Sequence, residues 1–386
     1  MKTIKNAWLV INSFFIIALA VSCSSNDSAP TPPVVPKPTI TSFTPTEATT
    51  DETVTITGTN LTGATKVTFG GLDASTFTVA NATTITAKVA AGATGDIVVI
   101  TPGGTVTVTG FTFKAPPIDG YNSSNEVATD ALLAHWTFDE TKTEAISGTA
   151  DEKASGTIDF IEGKIGKGIN LTSAYLIYPE IDALNNADAL PSFTLSLWAK
   201  IPENTATLSS MFQINGVNFQ DIWPLVGIAT RTNGTVYSLA GGTIHVNAGG
   251  TTPTYDALFL DPGANPAEGF AATDGDGGWA YITVTYDGPT QTMTYYGNGV
   301  KLGSRVATNV VPPETLALLT PAKVSFGTFE FVDDFPDGIW GHPPAAADVE
   351  WASHGITGAL DDMRVFNSVL VDSDILALYH LGQAGR

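Results

Sequence analysis

Apolar side chains recur at every second position in short runs, and each run soon meets a glycine, proline or asparagine. Val54/Ile56, Val67/Phe69, Phe77/Val79, Ile85/Ala87/Val89, Ile97/Val99 and Val106/Val108 obey this pattern near the N-terminus. Leu132/Ala134/Trp136/Phe138, Phe193/Leu195/Leu197, Val226/Ile228, Ile282/Val284/Tyr286 and Met293/Tyr295 obey it further on. A period of two places the apolar set on one face of a strand. Gly58-Thr59-Asn60, Gly70-Gly71, Ala91-Gly92 and Pro102-Gly103-Gly104 interrupt the runs as turns would. The pattern predicts an all-β chain of sandwich type, and 386 residues leave room for two or three domains. One helix is expected near the C-terminus. Asp372 or Ser373 can cap it, Asp374 suits its positive end, and Ile375, Leu378 and Tyr379 share a face.

The first residues follow a different rule. Lys2 and Lys5 precede an apolar run from Ala7 to Val21, interrupted by Asn12 and Ser13, which suits a secretory signal better than a membrane span. The run ends in Leu19-Ala20-Val21-Ser22-Cys23, which resembles the lipobox of bacterial lipoproteins. That resemblance implies removal of residues 1–22 and acylation of Cys23, with several chains giving durable anchoring. Cys23 is the sole cysteine, so no intramolecular disulfide can form. The residues after it, Ser24-Ser25-Asn26-Asp27, carry no inner-membrane retention signal at the second position, so by resemblance the protein is expected at the outer membrane, exposed on the cell surface. Residues 23–37 read as a proline-rich tether, with Pro30, Pro32, Pro33 and Pro36 favouring extended geometry. A formal charge of −21 argues against nucleic-acid phosphates and anionic lipid as partners.

Residues 38–114 are expected to form a small immunoglobulin-like sandwich. Pro38-Thr39-Ile40-Thr41-Ser42-Phe43-Thr44-Pro45, Val54-Thr55-Ile56-Thr57-Gly58-Thr59-Asn60-Leu61, Val67-Thr68-Phe69-Gly70-Gly71 and Phe111-Thr112-Phe113 resemble the IPT/TIG domain. In secreted bacterial proteins that resemblance implies a spacer, sometimes a binding module. Residues 115–128, opening on Ala115-Pro116-Pro117, read as a polar linker.

Residues 129–386 resemble the LamG-like jelly roll, a concanavalin A-like sandwich. The likeness rests on His135-Trp136-Thr137-Phe138-Asp139-Glu140, Gly163-Lys164-Ile165-Gly166-Lys167-Gly168-Ile169 and Phe193-Thr194-Leu195-Ser196-Leu197-Trp198-Ala199-Lys200. It continues through Trp279 to Asp287, Tyr296-Gly297-Asn298-Gly299 and the closing run Gly358 to Asn367. Two stretches depart from the compact pattern: residues 215–275, long and polar, and residues 327–357 before the final strand. Long loops on a rigid sandwich tend to carry function.

Folds of this kind include glycosidases, and a retaining glycosidase needs two carboxylates about 5 Å apart. The nearest signature is Glu180-Ile181-Asp182-Ala183-Leu184-Asn185, whose last position is an amide with no proton to give near neutral pH. No histidine lies in a zinc-ligand spacing or beside a nucleophile elbow; His135 and His380 are expected to be packing residues. The chain is therefore read as a non-enzyme. Sugar recognition uses an aromatic face flanked by polar groups. Trp136, Trp198 and Trp279 fall on strand motifs and are expected in the core, whereas Trp223, Trp340 and Trp351 fall among turn residues and are the candidate sugar platforms, with His342 next to Trp340 and with Tyr255, in the other long loop, as a further candidate. The resemblance also implies a structural calcium ion near the first and last strands, with Asp139 and Asp361 or Asp362 as ligands. Neighbours on a strand point to opposite faces, so only one of Asp361 and Asp362 is expected to ligate. The resulting expectation is a surface lipoprotein that binds a polysaccharide, resembling accessory proteins that Bacteroidota-type bacteria place beside an outer-membrane glycan importer. An adhesin or structural envelope protein with a protein partner is the competing reading.

Overall fold

The structure is a computed structural model that describes residues 34–184, 190–202, 204–216, 226–233, 236–246, 254–262, 264–272, 278–307, 321–328 and 355–386. Residues 1–33, with Cys23, lie outside the described residues. No described helix is long and apolar enough to cross a membrane. The chain divides into two compact units, Met1–Ala115 and Pro116–Arg386.

The first unit contains β1 (Thr39–Thr44), β2 (Glu47–Ala48), β3 (Thr53–Thr59), β4 (Lys66–Phe69), β5 (Leu72–Asp73), β6 (Thr76–Asn81), β7 (Thr84–Lys88), β8 (Gly95–Thr101) and β9 (Gly104–Phe113). Two sheets, β1-β3-β7-β6 and β2-β9-β8-β4-β5, enclose one core. Its centre is the alternating set the sequence displays: Val54, Ile56, Val67, Phe69, Ile85, Ala87, Ile97 and Val99 are all buried. Phe77, Val79, Val106 and Val108 pack against it from partly buried positions. The turn glycines have steric reasons. A Cβ at Gly58 would overlap the Thr39 carbonyl, and Gly70, at φ +55°, faces the Thr94 carbonyl in the same way. Asn60 follows at φ 57° and donates from Nδ2 to the Lys37 carbonyl at 2.9 Å, which ties the turn to the incoming chain.

The second unit contains β10 (Leu132–Trp136), β11 (Lys153–Glu162), β12 (Lys167–Tyr178), β13 (Phe193–Lys200), β14 (Asn204–Gly216), β15 (Val226–Asn233), β16 (Val236–Val246), β17 (Thr254–Phe259), β18 (Gly269–Ala271), β19 (Ala280–Asp287), β20 (Thr292–Gly297), β21 (Val300–Val306), β22 (Pro321–Phe326), β23 (Ile356–Phe366) and the helix α1 (Asp372–Gln383). Among the described residues the strands bond in the order β17-β16-β15-β14-β22-β12-β23-β13-β19-β20-β21, with β10 on β23, β11 on β12 and β18 on β16. The sheet curls at β12. Ile169 to Ala174 pair with β23, and Leu176 to Tyr178 pair with β22. Just before the switch Ser173 takes φ 45°, and Gly156 at φ +80° bulges opposite on β11. The two halves then face each other across one core that includes Leu195, Leu197, Ile282, Val284 and Tyr295 from one side and Phe212, Ile214, Ile228 and Leu258 from the other. Tyr295 donates its hydroxyl across that core to the Leu258 carbonyl at 2.7 Å. This is the expected jelly-roll sandwich.

β13, β19 and β23 are buried on both faces. Their outward side is covered by α1 and by residues 116–131, which share a second apolar cluster with Trp198, Trp279, Tyr281 and Tyr296. Gly382 lets α1 approach, since a Cβ there would collide with the Trp198 indole. Residues 116–128 are therefore no free linker. Val127 is fully buried, Tyr121 donates to Asp374 at 3.0 Å, and the Arg386 guanidinium donates to the Pro116 carbonyl at 3.1 Å. The apolar outer face of the sheet needs a cover, and a polar-looking stretch with one Val and one Tyr at the right places supplies part of it. The helix cap also differs from expectation. Val371 stands at the cap position, and Asp372 is drawn away to accept from the Tyr296 hydroxyl at 2.8 Å.

Candidate functional site

Polar groups gather where the regular alternation of β23 breaks. Leu360 and Met363 both belong to the core, so two residues, Asp361 and Asp362, stand between consecutive inward positions. Asp362 sits at φ 50°, and the pairing with β13 shifts register between Ser196 and Trp198. This is a β-bulge, and bulges re-aim side chains. The strict opposite-face expectation for the two aspartates fails for that reason.

The two carboxylates have separate surroundings. Asp362 is 4% exposed and meets Arg364 and His135, with the Arg364 Nη2 2.9 Å and the His135 Nε2 2.7 Å from its Oδ1. Burial alone would raise its pKa, but the Arg364 charge and the His135 contact override this and hold the carboxyl well below its ordinary value. Arg364 also donates to the Ser124 carbonyl at 2.9 Å, the Ser124 hydroxyl at 2.8 Å and the Asn125 Oδ1 at 2.9 Å. Asp362 is thus the hub of a buried ionic clasp that fastens residues 124–125 to the sheet. Its acceptor oxygens are occupied by cationic donors, and it does not fit the expected role of calcium ligand. His135 belongs to the same clasp, and its backbone N–H donates to the buried Glu144 carboxylate at 2.7 Å.

Asp361 turns toward the Gly163–Gly168 stretch. Its Oδ2 accepts from the backbone N–H of Lys164 at 2.6 Å and of Ile165 at 3.0 Å. Its Oδ1 is buried with no hydrogen-bond partner. Burial is the largest influence on this carboxyl, and with the Asp362 charge nearby it is pushed up to about 8. Asp139 approaches the same stretch from the other side, its Oδ1 accepting from the Lys167 N–H at 2.7 Å. The backbone on either side of Asp139 is unusual, with Phe138 at φ 56° and Glu140 at φ 55°. Of the expected calcium ligands the fold therefore brings Asp139 and Asp361 to one turn. The unpartnered Asp361 oxygen is the open position at this turn, and among the described residues no group of three or more His, Cys, Asp or Glu side chains is assembled to hold a metal ion.

Trp223, Trp340, His342 and Trp351 lie outside the described residues. Where their segments leave the sheet is described. β22 ends and β23 begins against the same point of β12: a Cβ at Gly327 would lie 3.2 Å from the Tyr175 Cα and 3.4 Å from Ile356, and one at Gly355 would lie 2.9 Å from the Ser173 carbonyl carbon. Residues 329–354, with Trp340, His342 and Trp351, thus depart and return at one seam. The segment with Trp223 joins β14 to β15 and starts beside Pro321, at the other end of β22. The described residues that flank these segments therefore stand at two ends of one strand. Tyr255 is corrected: it lies on β17 opposite His245 and not in a loop, because much of residues 215–275 is folded into β15, β16, β17 and β18. Trp136 and Trp198 are fully buried and Trp279 is 8% exposed, as expected of core residues. Glu180 and Asp182 are exposed beyond the end of β12.

A polar row that the sequence does not advertise crosses the outward face of the second half-sheet. Pairing sets Ile177 beside Ser325, Ser325 beside Gln213 and Gln213 beside Gly227. Gln213 is 1% exposed, and neither its amide nitrogen nor its amide oxygen has a hydrogen-bond partner. Only the bulge at Met211 makes this row, since it resets which residues of β14 face outward.

The family model for the IPT/TIG domain matches residues 38–115. Residues 38–115 are an IPT/TIG domain. A search of the curated proteins returns no match. Among solved structures, the chain is similar to one described as the crystal structure of the receptor binding domain, at 15% identity and a TM-score of 0.42, over 67% of this chain and 52% of that one. It is also similar to the binding domain of botulinum neurotoxin DC in complex with SialylT, at 14% identity and a TM-score of 0.41, over 68% of this chain and 53% of that one. A third structure, from work on the dependence of botulinum neurotoxin type C cell entry on two ganglioside molecules, matches at 14% identity and a TM-score of 0.41, over 66% of this chain and 52% of that one. The chain spans about half the length of each.

Proposed function

We propose that this chain is a lipid-anchored surface protein that captures a polysaccharide and performs no chemistry on it. The observation that carries the reading is the seam on β12. A filled, two-layer support gives rise at one point to residues 329–354, whose sequence is rich in aromatic and turn residues around Trp340, His342 and Trp351. An excursion of that length from a rigid sheet is the usual vehicle of binding. Trp223, on the connection that leaves from the opposite end of β22, adds a second aromatic contact. Each sugar contact is weak, and a surface array of anchored copies supplies avidity. In this reading Cys23 carries the lipid, the prolines and the IPT/TIG domain hold the jelly roll away from the membrane, and a glycan importer takes the captured chain. Calcium, held by Asp139 and the free oxygen of Asp361, would stiffen the turn at Gly163–Gly168.

The test is retention of the whole chain on an array of algal, plant and microbial polysaccharides, with and without chelator. At least one neutral polysaccharide should bind, Trp340→Ala and Trp351→Ala should each weaken it, and a reducing-end assay should stay flat. Binding to none of the polysaccharides refutes the reading.

A further inference from the structure

Three hydroxyls lie buried together between the first half-sheet and its cover. Ser196 on β13 stands between the core residues Leu195 and Leu197, and Thr283 on β19 stands between Ile282 and Val284, so both point away from the core. Register places the two directly opposite each other. Tyr281 lies two residues before Thr283 on the same outward face, in the apolar cluster that it shares with α1 and Val127. Ser196 and Thr283 are 0% exposed and Tyr281 is 1% exposed. Among the described residues none of the three hydroxyl oxygens has a well-formed hydrogen bond. They are nevertheless neighbours. Burial pushes the Tyr281 pKa up, and the Ser196 and Thr283 hydroxyls both pull it back. The three groups thus converge on one place without closing a direct bond. Thr194, one step earlier on the same face of β13, shows what happens where the chain supplies a partner: its hydroxyl donates to the Ser368 carbonyl at 2.7 Å and accepts from the Leu370 N–H at 3.0 Å.

We infer that Ser196, Tyr281 and Thr283 hold one internal water molecule, which bonds to all three hydroxyls and joins β13 to β19 beneath the cover. A buried water characteristically makes about three hydrogen bonds to groups that the chain leaves unmet. Each hydroxyl both donates and accepts, as water does, so the four oxygens can satisfy one another. The charges nearby favour a neutral occupant. Arg364, opposite Ser196, is already paired with Asp362, so neither a cation nor an anion would find an uncompensated charge there. Three bare hydroxyls in a dry layer would each cost stability, whereas one bridging water relieves them together. The water then continues the clasp: Arg364 ties residues 124–125 to the sheet, and the hydroxyls occupy the next places along the same cross-strand row. This site is independent of sugar binding.

The experiment is a crystal structure of the whole chain at a resolution that shows ordered water, with melting of Thr283→Val and Tyr281→Phe followed by tryptophan emission. Both substitutions keep the shape of the side chain and remove one hydroxyl. A density peak should stand within about 3 Å of all three hydroxyl oxygens. Each variant should melt lower, by roughly 2–4 °C, because it takes a partner away from a bound water. The direction of the shift is decisive, since hydroxyls that bonded to nothing would make both apolar replacements melt higher. Melting at or above wild type for both variants overturns the site. Hydroxyls bonded directly to one another, with no peak between them, overturn it too.

Discussion

Replacing Arg364 with methionine isolates the buried clasp on β23. Arg364 is 1% exposed, and its guanidinium supplies Asp362, the Ser124 carbonyl and hydroxyl, and Asn125. Methionine keeps much of the aliphatic volume and removes every donor. Breaking a buried ion pair from one side leaves an uncompensated charge, typically a loss of about 3–5 kcal/mol. Asp362 keeps its 2.7 Å contact with His135, which places the expected loss at the lower end, about 3 kcal/mol. For a unit of this size that corresponds to a fall in melting temperature of roughly 6–12 °C. Apart from Trp8 in the signal-like segment, every tryptophan of the chain lies beyond residue 128, so urea unfolding read by tryptophan emission reports the jelly roll and not the IPT/TIG domain. The pH dependence has a definite sign. Folded Asp362 titrates far below the 3.8 of an ordinary aspartate, so its pairing stabilises the fold above that pH and the benefit fades as pH falls beneath it. The gap between wild type and Arg364→Met should therefore be full at pH 6 and narrow below pH ~3.8. The double variant Arg364→Met/Asp362→Leu should recover part of the loss, because the stranded charge goes with it. An Arg364→Met chain within about 1 kcal/mol of wild type at pH 6 would refute the reasoning.

Three further outcomes are expected. Deleting residues 116–128 should lower the melting temperature of the second unit and increase binding of a hydrophobic dye, since Val127 and Tyr121 help cover Trp198 and Tyr281; unchanged melting would show these residues to be dispensable. Arg305→Gln should cost about 1 kcal/mol above pH 4.5 and less below it, because the 2.6 Å hydrogen bond from Arg305 is the largest influence lowering the Glu268 pKa; acid titration of both proteins by fluorescence checks the window. Gly70→Ala should destabilise the IPT/TIG domain by about 1 kcal/mol or more, through the positive φ and the collision with the Thr94 carbonyl, and calorimetry should assign the loss to that unit alone.

The fold was legible wherever apolar periodicity decides it. Val54, Ile56, Ile85 and Ile97 announce the first sandwich, and Leu195, Leu197, Ile282 and Val284 the second, because a half-buried strand repeats every two residues. The path of β12 was not legible, since one strand pairing two halves of a sheet looks like any other run. Residues 116–128 were misread for a related reason: their polar composition hides the few apolar contacts that fix them to the sheet. Around the turn at Gly163–Gly168, resemblance names Asp139 and Asp361 and the fold brings both to it, whereas Gln213 gives no signal in the sequence at all. An amide between two large apolar residues reads as the solvent face of an amphipathic strand, and only the folded chain shows that it is buried.

That contrast bears on where binding can reside in such a sandwich. The enclosed core is filled by aromatic pairs such as Trp136 with Phe326 and Phe193 with Tyr286, at centroid separations of 5.1 and 5.5 Å. The outward face of β13, β19 and β23 is covered by α1 and residues 116–131. The outward side chains of β12, β22, β14 and β15 are buried as well, Tyr175, Ile177, Ser325, Gln213 and Ser210 among them. Ser210 and Gln213 with their unmet hydrogen bonds stand on that face, and the connections carrying Trp223, Trp340 and Trp351 leave the sheet from its strands.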